Sequence, residues 1–279
     1  MEKSTLDVNA ASSLMPTPLK YSMPIKTRGD SPPLFCIHGE PLKIAMRQKV
    51  DRPVYGVNFS YFRFRRSDLP ETIEEYAALY LADIRAIQSR GPYYIVGYSV
   101  GGMIAYEIAR QLLDAGEQIG HLTLVEPTNP DVVSTPLAIL RHNVARSKSK
   151  MSALLMYMRK LPGALWPRFK TLVQRLRTRM HLRLNIPFPQ SLAMAGLTMA
   201  IAPVKLRYEY RPITIGGSLV YRSLDDASIK LCHEYWNEKL TDGIEVFSIA
   251  NVRKHLDLME EPALGQMVGI LDRSVQPRP

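Results

Sequence analysis

The decapeptide YYIVGYSVGG at residues 93–102 limits this chain more than any other stretch. Its first four residues are β-prone, three glycines then surround one serine, and MIAYEIARQLL follows at once with a helical pattern. A chain that leaves a strand and enters a helix within so few residues needs room at the bend, and residues without side chains supply it. G-Y-S-V-G at 97–101 fits the G-x-S-x-G pattern. There a serine on a strained turn exposes its Oγ, and the helix N-terminus offers backbone N–H groups and the positive end of its dipole to an anion. A Gly-rich turn of this kind also serves to bind phosphate or to pack tightly, but spacing and context together favour a nucleophile, Ser99.

Strand and helix patterns alternate around this turn. LKYSMPI and PLFCIHG read as early strands separated by TRGDSPP, and VYGVNF is a third. In PETIEEYAALYLADIRAIQSR, opened by Pro70 and closed near Gly91, positions 76, 79, 80, 83 and 87 share one helical period. Beyond the serine come a helix and the strand HLTLVEP. Later still come the strand GSLVYRS, a helix near IKLCHEYWNEKL, the strand IEVFSIA and a last helix in EEPALGQMVGILDRS. This order predicts an α/β fold with a mostly parallel, doubly wound sheet and right-handed crossovers. A length of 279 residues suits one large domain of that class, spanning 21–275 after a flexible lead-in at 1–20.

The alternation stops at about 132–206. SALLMYMRKL and FKTLVQRLRTRMHLRL carry apolar residues at helical spacing (172, 173, 176 and 180 in the second) with arginines between them, which predicts a helical insertion that covers something. Residues 184–204 lack charge, yet Asn185, Pro187, Pro189, Gln190 and Pro203 argue against a membrane span and for a buried or lid segment. No apolar signal-peptide core precedes residue 20. Cys36 and Cys232 lie far apart without metal-type spacing, and Cys36, inside the apolar run LFCI, reads as a buried free thiol; the setting reads as reducing and cytoplasmic.

Charge is unevenly spread. The net charge is +10, but residues 132–208 hold fourteen Lys and Arg and no Asp or Glu, leaving 22 basic against 26 acidic residues elsewhere. The whole basic excess belongs to the insertion. It predicts attraction to an acidic partner, or simply a solvated helix face; no nucleic-acid reading motif accompanies it.

A serine hydroxyl needs a base near neutral pH, and on such a sheet the histidine comes late in the chain. His255, in NVRKHLDLMEEP between the last strand and the last helix, has that place. His38 follows an early strand and is better placed to shape an oxyanion loop; His121, His142, His181 and His233 read as packing or surface residues. A carboxylate must then orient the imidazole. Glu126 follows the strand after the serine helix, and Asp225 and Asp226 follow the next strand. Both places are legitimate, although Asp226 also suits a helix N-cap.

LFCIHG, RPVYGV, the run from ETIEEYAALY through GPYYIVGYSVGGMIAYEIARQLLDAGEQI, and HLDLMEEPAL together resemble the α/β-hydrolase thioesterases that accompany nonribosomal peptide and polyketide synthases, across about residues 20–275. The resemblance implies hydrolysis or cyclisation of an acyl or peptidyl chain delivered as a thioester on the phosphopantetheine arm of an acidic carrier protein, or of an acyl-CoA. It implies no cofactor of the enzyme's own. Ser99 then matches the nucleophile, His255 the base, the N–H of Val100 one oxyanion donor and that of Gly39 or Glu40 the second. Two departures stand out: Glu126 occupies a position usually held by Asp, and HGEPLKIAMRQ replaces an early loop usually rich in small residues. The insertion matches a helical lid over the acyl channel, with its apolar positions facing the channel and its arginines outward. Two other readings fit the same residues: an acyltransferase that passes the acyl group to an amine or alcohol, and a non-catalytic carrier-binding protein.

Overall fold

The structure is a computed structural model that describes residues 19–61, 63–127 and 161–273; over 161–169 it describes the backbone alone. Seven strands form one sheet in the order β1-β3-β2-β4-β5-β6-β7. They are β1 (Ser22–Lys26), β2 (Leu34–Ile37), β3 (Val54–Val57), β4 (Tyr93–Tyr98), β5 (Ile119–Val125), β6 (Gly217–Arg222) and β7 (Ile244–Ile249). Only β1 runs antiparallel to its neighbour; the other pairs are parallel, in register Leu34 to Tyr94 and Leu122 to Gly217.

A parallel sheet covered on both faces needs apolar side chains on both, and these strands supply them at period two. Phe35, Ile37, Ile95, Leu122, Leu124 and Leu219 join one cluster, while Leu34, Cys36, Val96, Val125 and Val220 join the other. The first cluster takes in α2 (Ile73–Ile87), α3 (Val100–Asp114), α5 (Gln190–Lys205) and α6 (Asp226–Asn237). The second takes in α1 (Pro41–Arg47) and α7 (Ala263–Arg273). Cys36 and Cys232 are buried free thiols, and burial pushes the Cys36 thiol up to about 12.

Most predicted elements appear within a few residues of their sequence limits. Two helices refine the reading. The α1 turn, begun by Pro at its first position, lies within the HGEPLKIAMRQ stretch, so the early loop continues as a helix. The charge-poor 184–204 stretch becomes α5, which buries Leu192, Ala193, Leu197, Ala200, Ile201 and Val204 in the core. Among the described residues no helix is long and apolar enough to cross a membrane. The lead-in at 1–18 and the first insertion helix, SALLMYMRKL up to residue 160, fall outside the described residues.

In α4 (Leu161–Arg183) the residues Leu172, Val173, Leu176 and Met180, expected to face a channel, are exposed. The face turned to the protein carries Thr178, fully buried, with His181 and Leu182 partly buried. His181 stacks on Phe188 and its Nδ1 bonds to Pro187 O at 3.0 Å.

Two buried carboxylates hold the sheet's surroundings. Glu107 of α3 takes hydrogen bonds from Arg110, Gln111 and the Tyr208 hydroxyl, and although burial opposes it, these bonds hold its carboxyl below the usual range. It thereby fixes the chain where it returns from α5 to the sheet. Asp83, on the buried face of α2, accepts the backbone N–H groups of Lys20, Tyr21 and Ser22 at 3.2, 2.6 and 2.7 Å and so anchors the start of β1. Replacing it strands buried donors, so Asp83→Ala should lose on the order of 3 kcal/mol in urea unfolding, and Asp83→Asn, which keeps one acceptor, less. Equal stability of Asp83→Ala and wild type would show that the anchor is dispensable.

Candidate active site

The C-terminal ends of five of the six parallel strands share a backbone feature. His38 after β2, Ser99 after β4, Glu126 after β5, Ser223 after β6 and Asn251 beyond β7 all have positive φ, between 36° and 63°. Each strand therefore turns sharply at the same edge of the sheet, where a non-glycine residue in this region is strained. In open α/β sheets that edge is where ligands sit.

Ser99, at φ 57° and ψ −121°, joins β4 to α3; its side chain makes no cap hydrogen bond, while its carbonyl accepts from Gly102 N–H at 2.9 Å. The glycines are needed for close packing. A Cβ on Gly97 would lie 2.4 Å from Gly101 O, and one on Gly101 would lie 2.2 Å from Ile37 O. One on Gly102 would meet Pro127 at 3.2 Å. The turn is thus wedged between the ends of β2 and β5, with Ser99 N–H bonded to Val125 O at 2.8 Å.

Glu126 and His255 meet beside it. The Nδ1 of His255 hydrogen-bonds Glu126 Oε2, which leaves Nε2 as the nitrogen able to exchange a proton with a hydroxyl. The other oxygen, Oε1, is held by Arg222, through its backbone N–H at 3.2 Å and its Nε at 3.0 Å. The Tyr98 ring stacks on the His255 ring at 4.5 Å between centroids, and its hydroxyl donates to His255 O at 2.6 Å. Burial, then the nearby Glu126 charge, pushes that phenol well above its usual range, so it stays a donor. Ser223 ties the loop before His255 in place through Val252 N–H and Val252 O, each at 3.0 Å.

Of the candidate acids, only Glu126 is brought to His255. Asp225 instead accepts from Ser228 N–H at 2.8 Å as the N-cap of α6, and hydrogen bonding from the Ser228 side chain, then from its backbone, lowers its pKa. Asp226 is the exposed first residue of the helix, so the cap is one residue earlier than the sequence suggested. Of the candidate donors, Val100 opens α3, Gly39 has φ 75° and lies over Tyr98 Cβ, and Glu40 precedes α1 with its residue exposed. The His38 N–H is spent on Val57 O at 3.0 Å. Tyr98 and Arg222 were missed by sequence reasoning. Tyr98 stands inside G-Y-S-V-G and offered a signal, whereas Arg222, at the end of a strand, offered none.

His38 itself is buried, its Nε2 3.1 Å from the Tyr80 hydroxyl, and burial lowers its pKa to about 4. It stays neutral while an exposed histidine titrates. An unfolded chain protonates this ring near pH 6.5, so below that pH the unfolded state binds more protons and stability falls until about pH 4.

The comparisons with known proteins follow this geometry. A family model described as a thioesterase domain matches residues 43–178, just under half of the chain. The chain is 34% identical over 114 residues to a dimodular nonribosomal peptide synthase of Bacillus subtilis (strain 168), covering 39% of this chain and 5% of that one. It is 36% identical over 117 residues to a malpibaldin synthetase of Mortierella alpina, covering 39% of this chain and 2% of the synthetase. It is 44% identical over 78 residues to a non-reducing polyketide synthase of Pseudevernia furfuracea, covering 28% of this chain and 4% of that one. The chain therefore spans 5% or less of the length of these relatives. Among solved structures, the NocB thioesterase domain in covalent complex with a fluorophosphonate nocardicin G analogue superposes with a TM-score of 0.62 at 16% identity, over 92% of this chain and 100% of that one. A four-domain nonribosomal peptide synthetase, AB3403, superposes at 0.59 and 20% identity over 93% of this chain and 20% of that one. At these identities the likeness shows the fold, that of α/β-hydrolase thioesterase domains.

The buried His38 gives a stability test. His38→Asn, which tolerates the left-handed backbone, should make the fall in unfolding free energy between pH 7 and pH 4.5 smaller by about 2–3 kcal/mol in urea titrations. An unchanged fall would mean that His38 does not stay neutral in the folded protein.

Proposed function

We propose that the chain, which a thioesterase-domain family model matches over residues 43–178, releases an acyl or peptidyl chain from a carrier-protein phosphopantetheine thioester through an acyl-Ser99 intermediate. The observation that carries this reading is the His255–Glu126 pair beside a serine held on a strained strand-to-helix turn.

In this reading Ser99 Oγ attacks the thioester carbonyl carbon while its proton passes to His255 Nε2. Glu126, bound to Nδ1, holds the tautomer and stabilises the imidazolium. The tetrahedral oxyanion takes the N–H of Val100 and one from Gly39 or Glu40. Collapse breaks the C–S bond, and His255 returns the proton to the departing thiolate. Water, or a nucleophile within the chain itself, then attacks the ester with His255 as base and regenerates Ser99.

The insertion between β5 and β6, of which α4 and α5 are described, serves as the cover of the site, and residues 21–275 act as one domain with it. Tyr98 and Arg222 are positioning residues. Arg222 places a positive charge on Oε1 of the carboxylate that stabilises the imidazolium, which partly offsets that stabilisation.

Intact-mass analysis after treatment with a fluorophosphonate or an acyl-pantetheine thioester should show one adduct on wild type and none on Ser99→Ala. Equal labelling of both would remove Ser99 from the mechanism. Glu126→Gln should lower kcat by on the order of 10³–10⁴-fold, whereas Asp225→Asn should change it less than about twofold. Arg222→Leu, which frees Glu126 Oε1, should lower kcat by roughly 10-fold with little change in KM, and Arg222→Lys should restore most of the wild-type rate. An unchanged kcat in Arg222→Leu would mean that Arg222 does not position Glu126 for the reaction.

A further inference from the structure

The outward face of α4 carries two adjacent rows at four-residue spacing. Leu172, Leu176, Met180 and, just past the helix, Leu184 form an apolar row, with Leu176 54% and Leu184 63% exposed. Arg175, Arg179 and Arg183 form an exposed basic row beside it, and Arg177 lies on the other edge. A surface helix ordinarily turns its apolar stripe to the core. Here the core side is occupied by Thr178 and the stacked His181, so the stripe is left facing outward. Exposed apolar rows rimmed by charge mark interaction surfaces. No acidic residue occurs anywhere from 132 to 208 to neutralise the arginines within the segment.

We propose that this face of α4 docks the protein that carries the thioester, by receiving a partner helix with an apolar row flanked by Asp and Glu. The inference rests on the reading above, in which the substrate arrives tethered to a protein and the enzyme must meet a protein surface at every turnover. Charge complementarity selects the partner: an apolar row seats an apolar row, and an arginine row on one edge demands carboxylates on the facing edge. Arginine suits that task because its planar fork binds carboxylate in two places. The electrostatic part steers encounter and weakens with salt, while the apolar row governs residence.

The test compares one acyl group on two carriers: octanoyl on the phosphopantetheine of an isolated carrier-protein domain, and octanoyl on N-acetylcysteamine. With Leu176→Asp combined with Arg179→Glu, KM for the carrier-bound substrate should rise by about 10-fold or more and the salt dependence of its kcat/KM should flatten. Turnover of the small thioester should stay at the wild-type level. Equal change for both substrates, or no change for either, overturns the proposal. So does a lowered melting temperature, which would mean that the stripe is covered from within the chain. Loss of wild-type binding to phosphatidylserine vesicles, with carrier kinetics unaltered, would make this a membrane face instead. Inactivity of the wild type on the small thioester would fail the thioesterase reading separately, and calorimetric titration of wild type and double variant with the carrier domain would then still decide the docking face.

Discussion

The close approach of Gly97, Gly101 and Gly102 to their neighbours is the constraint on which the site depends. The chain must leave β4 and begin α3 at a single residue, and the space allows no side chain at 97 or 101. Ser99 absorbs the strain in a left-handed backbone, a conformation that costs on the order of 1–3 kcal/mol for a residue with a Cβ. That strain is balanced by the surrounding sheet, because Ser99 N–H is bonded to β5 and the glycines lie flush against β2 and the start of the following loop. The result is a hydroxyl lifted off the sheet edge at the positive end of a 15-residue helix.

The same edge organises the partners. Because β5 and β6 are paired in parallel register, Glu126 and Arg222 emerge side by side, each one step past or at the end of its strand. Glu126 N–H bonds to Val220 O, so its backbone is fixed by the ladder before its side chain is fixed by Arg222. His255 arrives on a loop that Ser223 and Tyr98 hold from two sides. Sheet register, rather than loop conformation alone, sets the distances within the site.

What could be read from the sequence follows from which interactions are local. Period-two and helical patterns located all seven strands and most helices because they report burial, which depends on immediate neighbours in the chain. The G-Y-S-V-G turn was legible as a local motif, whereas His255 was singled out by its place in chain order. Choosing Glu126 over Asp225 and Asp226 was not, since that choice depends on which strand end lies beside His255 in space. Asp83 shows the limit clearly: on a helical period it looks like a flaw in an apolar face, yet it serves three backbone donors some sixty residues away. In α4 the pattern gave the helix but not its surroundings, because periodicity identifies a stripe and not what the stripe faces; Leu172, Leu176 and Met180 are exposed.

Glu126 deserves a physical account of its length. A glutamate adds one methylene and one rotatable bond to the shorter acid, so its carboxylate would sweep through more positions beside the imidazole unless something removed that freedom. Arg222 removes it at Oε1 with two donors, one from backbone and one from side chain, leaving Oε2 to His255. The burial of Glu126, whose side chain is 11% exposed, makes these bonds strong and makes any unpaired alternative costly. The longer acid and the arginine therefore form one unit: the first supplies reach, the second supplies the restraint that reach requires.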